Sequence, residues 1–579
     1  MRQKDLGIWR SWTWNETAQA VREIGHGLMA LGFEARHTAS ILSNTNIEWV
    51  LCDLAVLSAG GVSNGIYPTD AAEQVHYLCE DSGTRVLFVE DDEQLDKALA
   101  VRETLPLLQK IVVFDMDGLR DFHDPMVISL KQLQALGREH AQQHPDMLMQ
   151  RSAACQPEDL AILVYTSGTT GKPKGGMHSH HGLVYTVRGY NTLIARDERD
   201  ECMCFLPLCH IAERMGGEYF SMYTGAKLNF VENPETVPEN VREIAPTVFT
   251  AVPRVWEKFY SGVMIALKEA GGLQQAVYGW AIGVGQQVAD LVLAQKPVPA
   301  SLKLRFHVAR LLALNNVRKM IGIHRARFLV TGAAPISPDL VRWYLALGLP
   351  MLEVWGMTET CGAATGVPAD RIKPGSIGPA AEYNEMRLDP VTSEILVRGP
   401  NVFMGYLNLP EKTAETIDAD GWLHTGDVGV VDEEGFFRIT DRMKDIIITA
   451  GGKSIAPSEL ENELKLSPYI TDAVVIGDKR AYLTVIIMID QENVEKYAQD
   501  NDVPFSNYAS LTHAAEVQAL IQGEMERVNK KFARVEQLKK FWLLDTQLSA
   551  EDEELTPTMK LKRKLVEKKY APQIEAMYR

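Results

Sequence analysis

Cysteine is scarce in this chain, with seven residues in 579, thinly spread and odd in number. That count excludes a disulfide framework and points to a reducing compartment. The one cluster, Cys202, Cys204 and Cys209 with His210 beside it, lacks zinc-ligand spacing and reads as ordinary buried cysteine. Long apolar runs are missing as well: no stretch of about eighteen uncharged apolar residues occurs, so no membrane-spanning helix is expected. The first fourteen residues carry charges and no apolar core, so no secretory signal is expected. Positive charge is in deficit, with 59 Lys+Arg against 76 Asp+Glu for a net charge of −17. Such a surface repels phosphate polymers, which excludes a nucleic-acid scaffold and requires any polyphosphate ligand to be held locally.

What is present suits a large globular enzyme. Hydrophobic residues make up 46% and charged residues 23%, enough apolar content to bury a sizeable core in several domains. Strand-like and helix-like segments alternate through the first 440 or so residues, as in parallel sheets covered by helices. Ala161 to Tyr165, Thr247 to Val252 and Ala326 to Thr331 are short β-rich runs that end in loops. From 255 to 321 apolar residues recur at helical spacing, which predicts a helical insertion. After Gly378 short strands and turn residues take over, and Glu433-Glu434-Gly435 predicts a hairpin. The texture divides the chain at 441/442 into a body, 1–441, and a smaller α+β domain, 442–579. Close to the end, the acidic run 551–554 reverses abruptly into the basic run Lys560 to Lys569.

The most informative stretch runs from Tyr165 to Gly176. It places Thr166, Ser167, Gly168, Thr169, Thr170, Gly171, Lys172 and Lys174 directly after a strand. Small residues allow close backbone approach, hydroxyls donate hydrogen bonds and lysines supply charge, so the loop suits a phosphate. It is not a P-loop, which needs four residues between the first glycine and Gly-Lys; here Gly168 and Gly171 enclose two, and Pro173 follows Lys172. Gly452-Lys453-Ser454 fails too, because Ile447 stands where the first glycine is required.

The ordered sequence Tyr-Thr-Ser-Gly-Thr-Thr-Gly-x-Pro-Lys-Gly resembles the signature loop of the adenylate-forming superfamily, and further motifs follow in that family's order over nearly the whole chain. The resemblance implies an α/β fold with a large N-terminal body of stacked subdomains and a small mobile C-terminal domain. It implies that Gly332, Ala333 and Ala334 line an adenine pocket, followed by a helix capped by Ser337 with Pro338 at its first position. Within Trp355-Gly356-Met357-Thr358-Glu359, it implies that Thr358 touches the α-phosphate and that Glu359, with Thr169, serves Mg²⁺. Trp355 stands where many members carry tyrosine; either ring can stack on adenine. Asp427 matches the carboxylate that grips the ribose hydroxyls, Arg442 the arginine reaching ribose and phosphate, and Lys444 the hinge between domains. Lys560 matches the catalytic lysine, although Met559 replaces the usual preceding glycine and Lys562 is the neighbouring rival.

The segment 251–259, the helical insertion and 449–457 resemble the long-chain fatty acyl-CoA synthetase branch. That branch implies ATP, Mg²⁺ and coenzyme A as cofactor and cosubstrates, a fatty acid as substrate, and His210 beside the substrate carboxylate. Its helices could wall an acyl tunnel or serve packing alone. A fatty acyl-AMP ligase loading a carrier protein, a ligase for a shorter or aryl acid, a luciferase-like monooxygenase and a non-catalytic binder share parts of this pattern. The same reading expects a cytoplasmic protein and leaves open a homodimer and a peripheral membrane contact through Lys560 to Lys569. Relative to the family pattern either the chain begins late or its true start lies upstream, which leaves the first strand and any dimer contact there open.

Overall fold

The computed structural model describes residues 1–166, 172–548, 554 and 562–579. The largest sheet is built on parallel strands Thr38–Leu42, Val62–Ile66, Thr84–Val89, Lys110–Val113 and Leu160–Thr166, extended on one edge by antiparallel Lys174–Ser179 and Gly405–Tyr406. These strands are short apolar runs because helices cover both faces. Helices Trp14–Ala30, Ile47–Ser58 and Leu130–Gln143 bury Leu28, Trp49 and Leu133 on one side, while Ala72–Ser82 and Asp92–Val101 bury Leu78 and Leu95 on the other.

A second sheet holds Val248–Ala251, Phe328–Thr331, Met351–Met357 and Gly362–Gly366. The predicted helical insertion lies between its first two strands, as Pro253–Glu269, Gly272–Leu293, Ala300–Ala309 and Asn315–Ile321. A π-turn over Arg310–Leu314 joins the last two. The third sheet is antiparallel, with Glu385–Leu388, Glu394–Arg398, Leu423–Val431 and Phe437–Arg442. Its expected hairpin is closed by Asp432, whose carboxylate accepts the N–H groups of Glu434 and Phe436 at 2.9 Å each, while Gly435 adopts a φ of 82°.

Past Arg442 the chain builds a separate C-terminal domain. Strands Ile470–Ile476, Leu483–Ile489 and Leu538–Leu543 pack on helices Pro457–Lys465 and Ala515–Asn529 around a core of its own. This domain meets the body through Leu466, which packs against the body's core, and through a set of polar contacts. The Lys531 ammonium lies 2.7 Å from both Asp339 and Glu463, the Ser337 hydroxyl donates to Glu463 at 3.2 Å, Lys268 donates to the Tyr469 hydroxyl at 2.9 Å, and Lys496 pairs with Glu269. Ser337 also caps helix Pro338–Ala346 by accepting the Asp339 N–H.

Candidate active site

Thr166 and Lys174 are the last paired residues of an antiparallel hairpin, so they face each other across the mouth of the Thr/Ser/Gly loop. Ser167, Gly168, Thr169, Thr170 and Gly171 lie outside the described residues, as does Lys560. The stem of the loop is held from outside: the Tyr77 hydroxyl donates to the Pro173 carbonyl at 2.9 Å, the Lys172 ammonium sits 4.6 Å above the Tyr77 ring, and the Tyr165 hydroxyl donates to Asp81 at 2.7 Å. The Lys174 ammonium lies 4.2 Å from the centre of the Tyr406 ring, and the Tyr406 hydroxyl donates to the Glu359 carboxylate. Burial, and next the charge of Glu359, push the Tyr406 phenol far above its ordinary pKa, so it acts only as a donor.

Strand Met351–Met357 delivers the other groups. It ends in a single tight turn, Thr358–Thr360, and returns as Gly362–Gly366. Thr360 ties the corner, its hydroxyl accepting the Met357 N–H at 2.9 Å and lying 2.6 Å from the Gly362 carbonyl. Cys361 sits in the left-handed region at φ 56°, a conformation that costs energy for a non-glycine residue and recurs at functional turns. Thr358 and Glu359 are buried here. Close approach explains two neighbouring glycines: a Cβ on Gly176 would stand 3.2 Å from the Thr358 methyl, and one on Gly356 would stand 1.8 Å from the Gly362 carbonyl. A bulge in the pairing sets Ala363 and Ala364 of the return strand against one residue of the outgoing strand, which re-aims the side chains around Trp355.

Asp427 is buried, and its two oxygens are approached from opposite sides. The Trp355 indole N–H donates to one at 2.9 Å, and the Arg442 guanidinium lies 3.0 Å from the other. Asp427 and Arg442 are register partners in adjacent strands, so the pairing follows from the backbone. Each carboxylate oxygen has two lone pairs, which leaves acceptor capacity for hydroxyl groups. Tryptophan in place of tyrosine therefore supplies a donor to the carboxylate as well as a ring. Gly332 packs on Val354 of the same strand, and Ala333 beside it is exposed with φ 65°. Lys444 follows Arg442 in a turn where Asp445 N–H donates to the Arg442 carbonyl at 2.9 Å. Burial, then the Arg442 charge, lowers Lys444 below the usual lysine range.

His210 caps the short helix Ile211–Glu213, its Nδ1 accepting the Ala212 N–H at 3.1 Å, which leaves the proton of the neutral ring on Nε2. The chain continues as a π-turn, Arg214–Tyr219, which reaches the turn corner where the Met215 and Cys361 sulfurs lie 3.9 Å apart. Lys562 begins helix Arg563–Lys569, its N–H held 2.7 Å from the Glu554 carbonyl. Its charge, with that of Lys97, opposes the burial that lifts the Asp70 carboxyl to about 6.

The structure thus gathers Lys174, Thr358, Glu359, Trp355, Asp427 and Arg442 along one strand and its two flanking sheets, while His210 heads the segment whose Met215 meets Cys361. Sequence reasoning missed Tyr406, which joins Lys174 to Glu359, and it missed the fully buried ion pair of Arg214 with Asp53 beneath the π-turn. Arg214 also donates to the Ser63 hydroxyl at 2.7 Å, and the Tyr219 hydroxyl donates to Asp53 at 2.7 Å. An arginine in a helix-like stretch gives no hint of burial until its partner, 161 residues away, is placed beside it.

Parallel-sheet body, separate C-terminal domain and a buried threonine–carboxylate turn beside Lys174 and Tyr406 together make the frame of an adenylate-forming enzyme. The adenylation domain of a carboxylate reductase from Mycobacterium chelonae shares this fold with a TM-score of 0.75 at 22% identity, over 98% of this chain and 85% of that one. An anthranilate–CoA ligase in complex with anthranoyl-AMP gives 0.73 at 21%, over 98% and 93%. The model of the AMP-binding enzyme family matches residues 3–407, and that of the AMP-binding enzyme C-terminal domain matches 444–579. The chain belongs to the AMP-binding enzyme family. Among its relatives are the long-chain-fatty-acid–CoA ligase ACSBG2 of Xenopus laevis, 33% identical over 98% of this chain and 80% of that protein, and the long-chain-fatty-acid–CoA ligase FadD15 of Mycobacterium bovis, 33% identical over 99% and 93%.

Proposed function

We propose that this enzyme activates a long-chain fatty acid with ATP and transfers the acyl group to coenzyme A. Chain-long similarity to two long-chain-fatty-acid–CoA ligases supports the substrate. One observation carries the chemistry: strand Met351–Met357 and its turn set a ribose-type carboxylate partner, Trp355, and a phosphate-type pair, Thr358 and Glu359, on one continuous edge.

In the first half-reaction a carboxylate oxygen attacks the α-phosphorus, the bond to the β-phosphate oxygen breaks, and pyrophosphate leaves with its electron pair. Two anions must meet, so preorganised positive charge and hydrogen-bond donors are the main requirement. Lys174 and Thr166 stand at the loop mouth, Thr358 offers a hydroxyl, and Asp427 with Arg442 would fix the ribose. The residues fit Mg²⁺: Glu359 is a buried carboxylate aligned by the Tyr406 hydroxyl, and this ion is commonly held by one or two carboxylates plus substrate phosphates. When bound it would neutralise charge on the phosphates. Lys560 would bridge the carboxylate and the α-phosphate.

In the second half-reaction the thiolate of coenzyme A attacks the acyl carbon, the mixed anhydride C–O bond breaks, and AMP leaves. The C-terminal domain would turn about Lys444 between the two steps, with the division at 441/442. Seven free cysteines fit a cytoplasmic location.

The test is acid-dependent pyrophosphate release against saturated acids of increasing length, with and without coenzyme A. Long-chain preference and thioester formation are expected. Preference for acetate or an aryl acid would overturn the substrate, and accumulation of acyl-AMP beside untouched coenzyme A would favour an acyl-AMP ligase. Lys560→Ala should abolish pyrophosphate release yet leave consumption of supplied acyl-AMP by coenzyme A largely intact; normal release would move the role to Lys562.

A further inference from the structure

The helical insertion carries a surface unlike the rest of the molecule. Between positions 291 and 321 there are six lysines and arginines, of which Arg318 is buried, and no aspartate or glutamate, in a chain whose net charge is −17. Helix Ala300–Ala309 and the π-turn after it lie inside this stretch. Apolar residues alternate with basic or polar ones from Leu302 to Val308, a period of two that would read as a strand on its own. Wound into a helix, that period splits the apolar residues between two faces. Leu302, Phe306 and Ala309 pack against the core of the body. Leu304, Val308, Leu311 and Leu312 turn outward and are 67%, 38%, 62% and 57% exposed.

The outward residues follow the spacing i, i+4, i+7, i+8, one stripe along the helix. Single exposed leucines are ordinary, but a contiguous apolar stripe is not. Lys303, Arg305 and Lys319 flank it and are exposed. Trp280, on the neighbouring helix Gly272–Leu293, is 41% exposed. The combination of apolar stripe, basic flank and absence of acid is that of a helix lying in a membrane interface. No helix among the described residues is long and apolar enough to cross a membrane, so this contact would be peripheral.

We propose that this face of the insertion docks on an anionic lipid bilayer. Charge selects the occupant: a surface of net charge −17 repels an anionic membrane as a whole, while this stretch, free of acidic residues, attracts it. A second copy of the chain would meet the same basic stretch with its own, like charge against like. This site is distinct from the basic run at Lys560 to Lys569, and it does not depend on which acid the enzyme activates.

The experiment uses the purified full chain and sedimentation with vesicles, either phosphatidylcholine alone or phosphatidylcholine mixed with phosphatidylglycerol. Binding to the mixed vesicles, weakened by salt, is expected, with little binding to the neutral ones. Leu304→Gln/Leu311→Gln/Leu312→Gln should lose binding by on the order of tenfold per leucine. Lys303→Gln/Arg305→Gln/Lys319→Gln should lose on the order of 100-fold on the mixed vesicles. Both variants should keep the parent unfolding midpoint, since the replaced side chains are exposed. Equal binding by parent and variants would overturn the proposal. So would concentration-dependent dimerisation that the leucine variant abolishes, since the stripe would then belong to a second copy.

Discussion

Trp355 shows what a single substitution within a familiar pattern does. Its indole N–H reaches Asp427, so the ring proposed to flank adenine also steadies the carboxylate proposed to hold ribose. Trp355→Phe keeps a ring and removes the donor. At about 1.5–3 kcal/mol for one hydrogen bond to a charged acceptor, the apparent KM for ATP should rise on the order of 10- to 100-fold with little change in kcat. Initial rates of pyrophosphate release against ATP concentration would check this, and an unchanged KM would leave only stacking. Glu213 invites a pH test. Burial lifts its carboxyl to about 7, opposed by the Cys204 thiol, from an ordinary value of 4.5. A raised carboxyl contributes stability that is present below the unfolded value and lost as pH rises through the folded one. Between about pH 4.5 and 7 the parent should therefore lose stability relative to Glu213→Gln, read as diverging urea midpoints; parallel midpoints would mean that Glu213 is ionised throughout. Asp427, Thr358 and Glu359 were legible in the sequence because each sits in an ordered motif. Tyr406 was not, because it contributes through a two-residue strand that pairs with Gly176 and Met177 far upstream.

Among the elements, the insertion was legible as helical from its apolar spacing, but which apolar residues turn inward was not. That choice depends on where the neighbouring helix Gly272–Leu293 and the loop around Gly348, which meets Phe306, stand, which no local pattern states. The π-turn Arg214–Tyr219 was equally hidden. It is pinned by Arg214, fully buried with Asp53, Ser63 and Tyr219 around it. The Glu218 carboxylate in the same turn is buried, and burial, then the neighbouring charge of Asp53, pushes it well above its usual range. Removing one member of a buried pair strands the other's charge. Arg214→Met should cost about 3–5 kcal/mol in the urea unfolding of the body, and Asp53→Asn/Arg214→Met should recover part of that loss. Equal destabilisation by the single and double variants would show that shape, not charge, is what the pair provides.

At the scale of the whole molecule, the body and the C-terminal domain meet through exposed ion pairs, through buried charges around Glu257, Lys465 and Asp472, and through Leu466 on the body's core. Lys531 with Asp339 and Lys496 with Glu269 are each worth under about 1 kcal/mol by the usual measure of exposed pairs. Such contacts suit two bodies that separate and rejoin. Asp339→Asn/Glu269→Gln should leave the unfolding midpoint within a degree or so of the parent. Limited proteolysis near 441/442 should nevertheless proceed faster, because the docked arrangement is less populated. Unchanged cleavage would assign the docking to the buried charges around Glu257, Lys465 and Asp472 instead.

Strand Met351–Met357 has a consequence for how this protein can vary. From Trp355 to Thr358 is three residues, about 10 Å of extended chain, so the spacing between the two halves of the site is written in backbone length. Loops elsewhere can lengthen or shorten at small cost. Here a single inserted or deleted residue, on this strand or at the Ala363–Ala364 bulge opposite, would shift the register and send Trp355 to the wrong face. Kin of this enzyme should therefore differ along this strand by replacement alone, and divergence in length should begin only beyond its two ends.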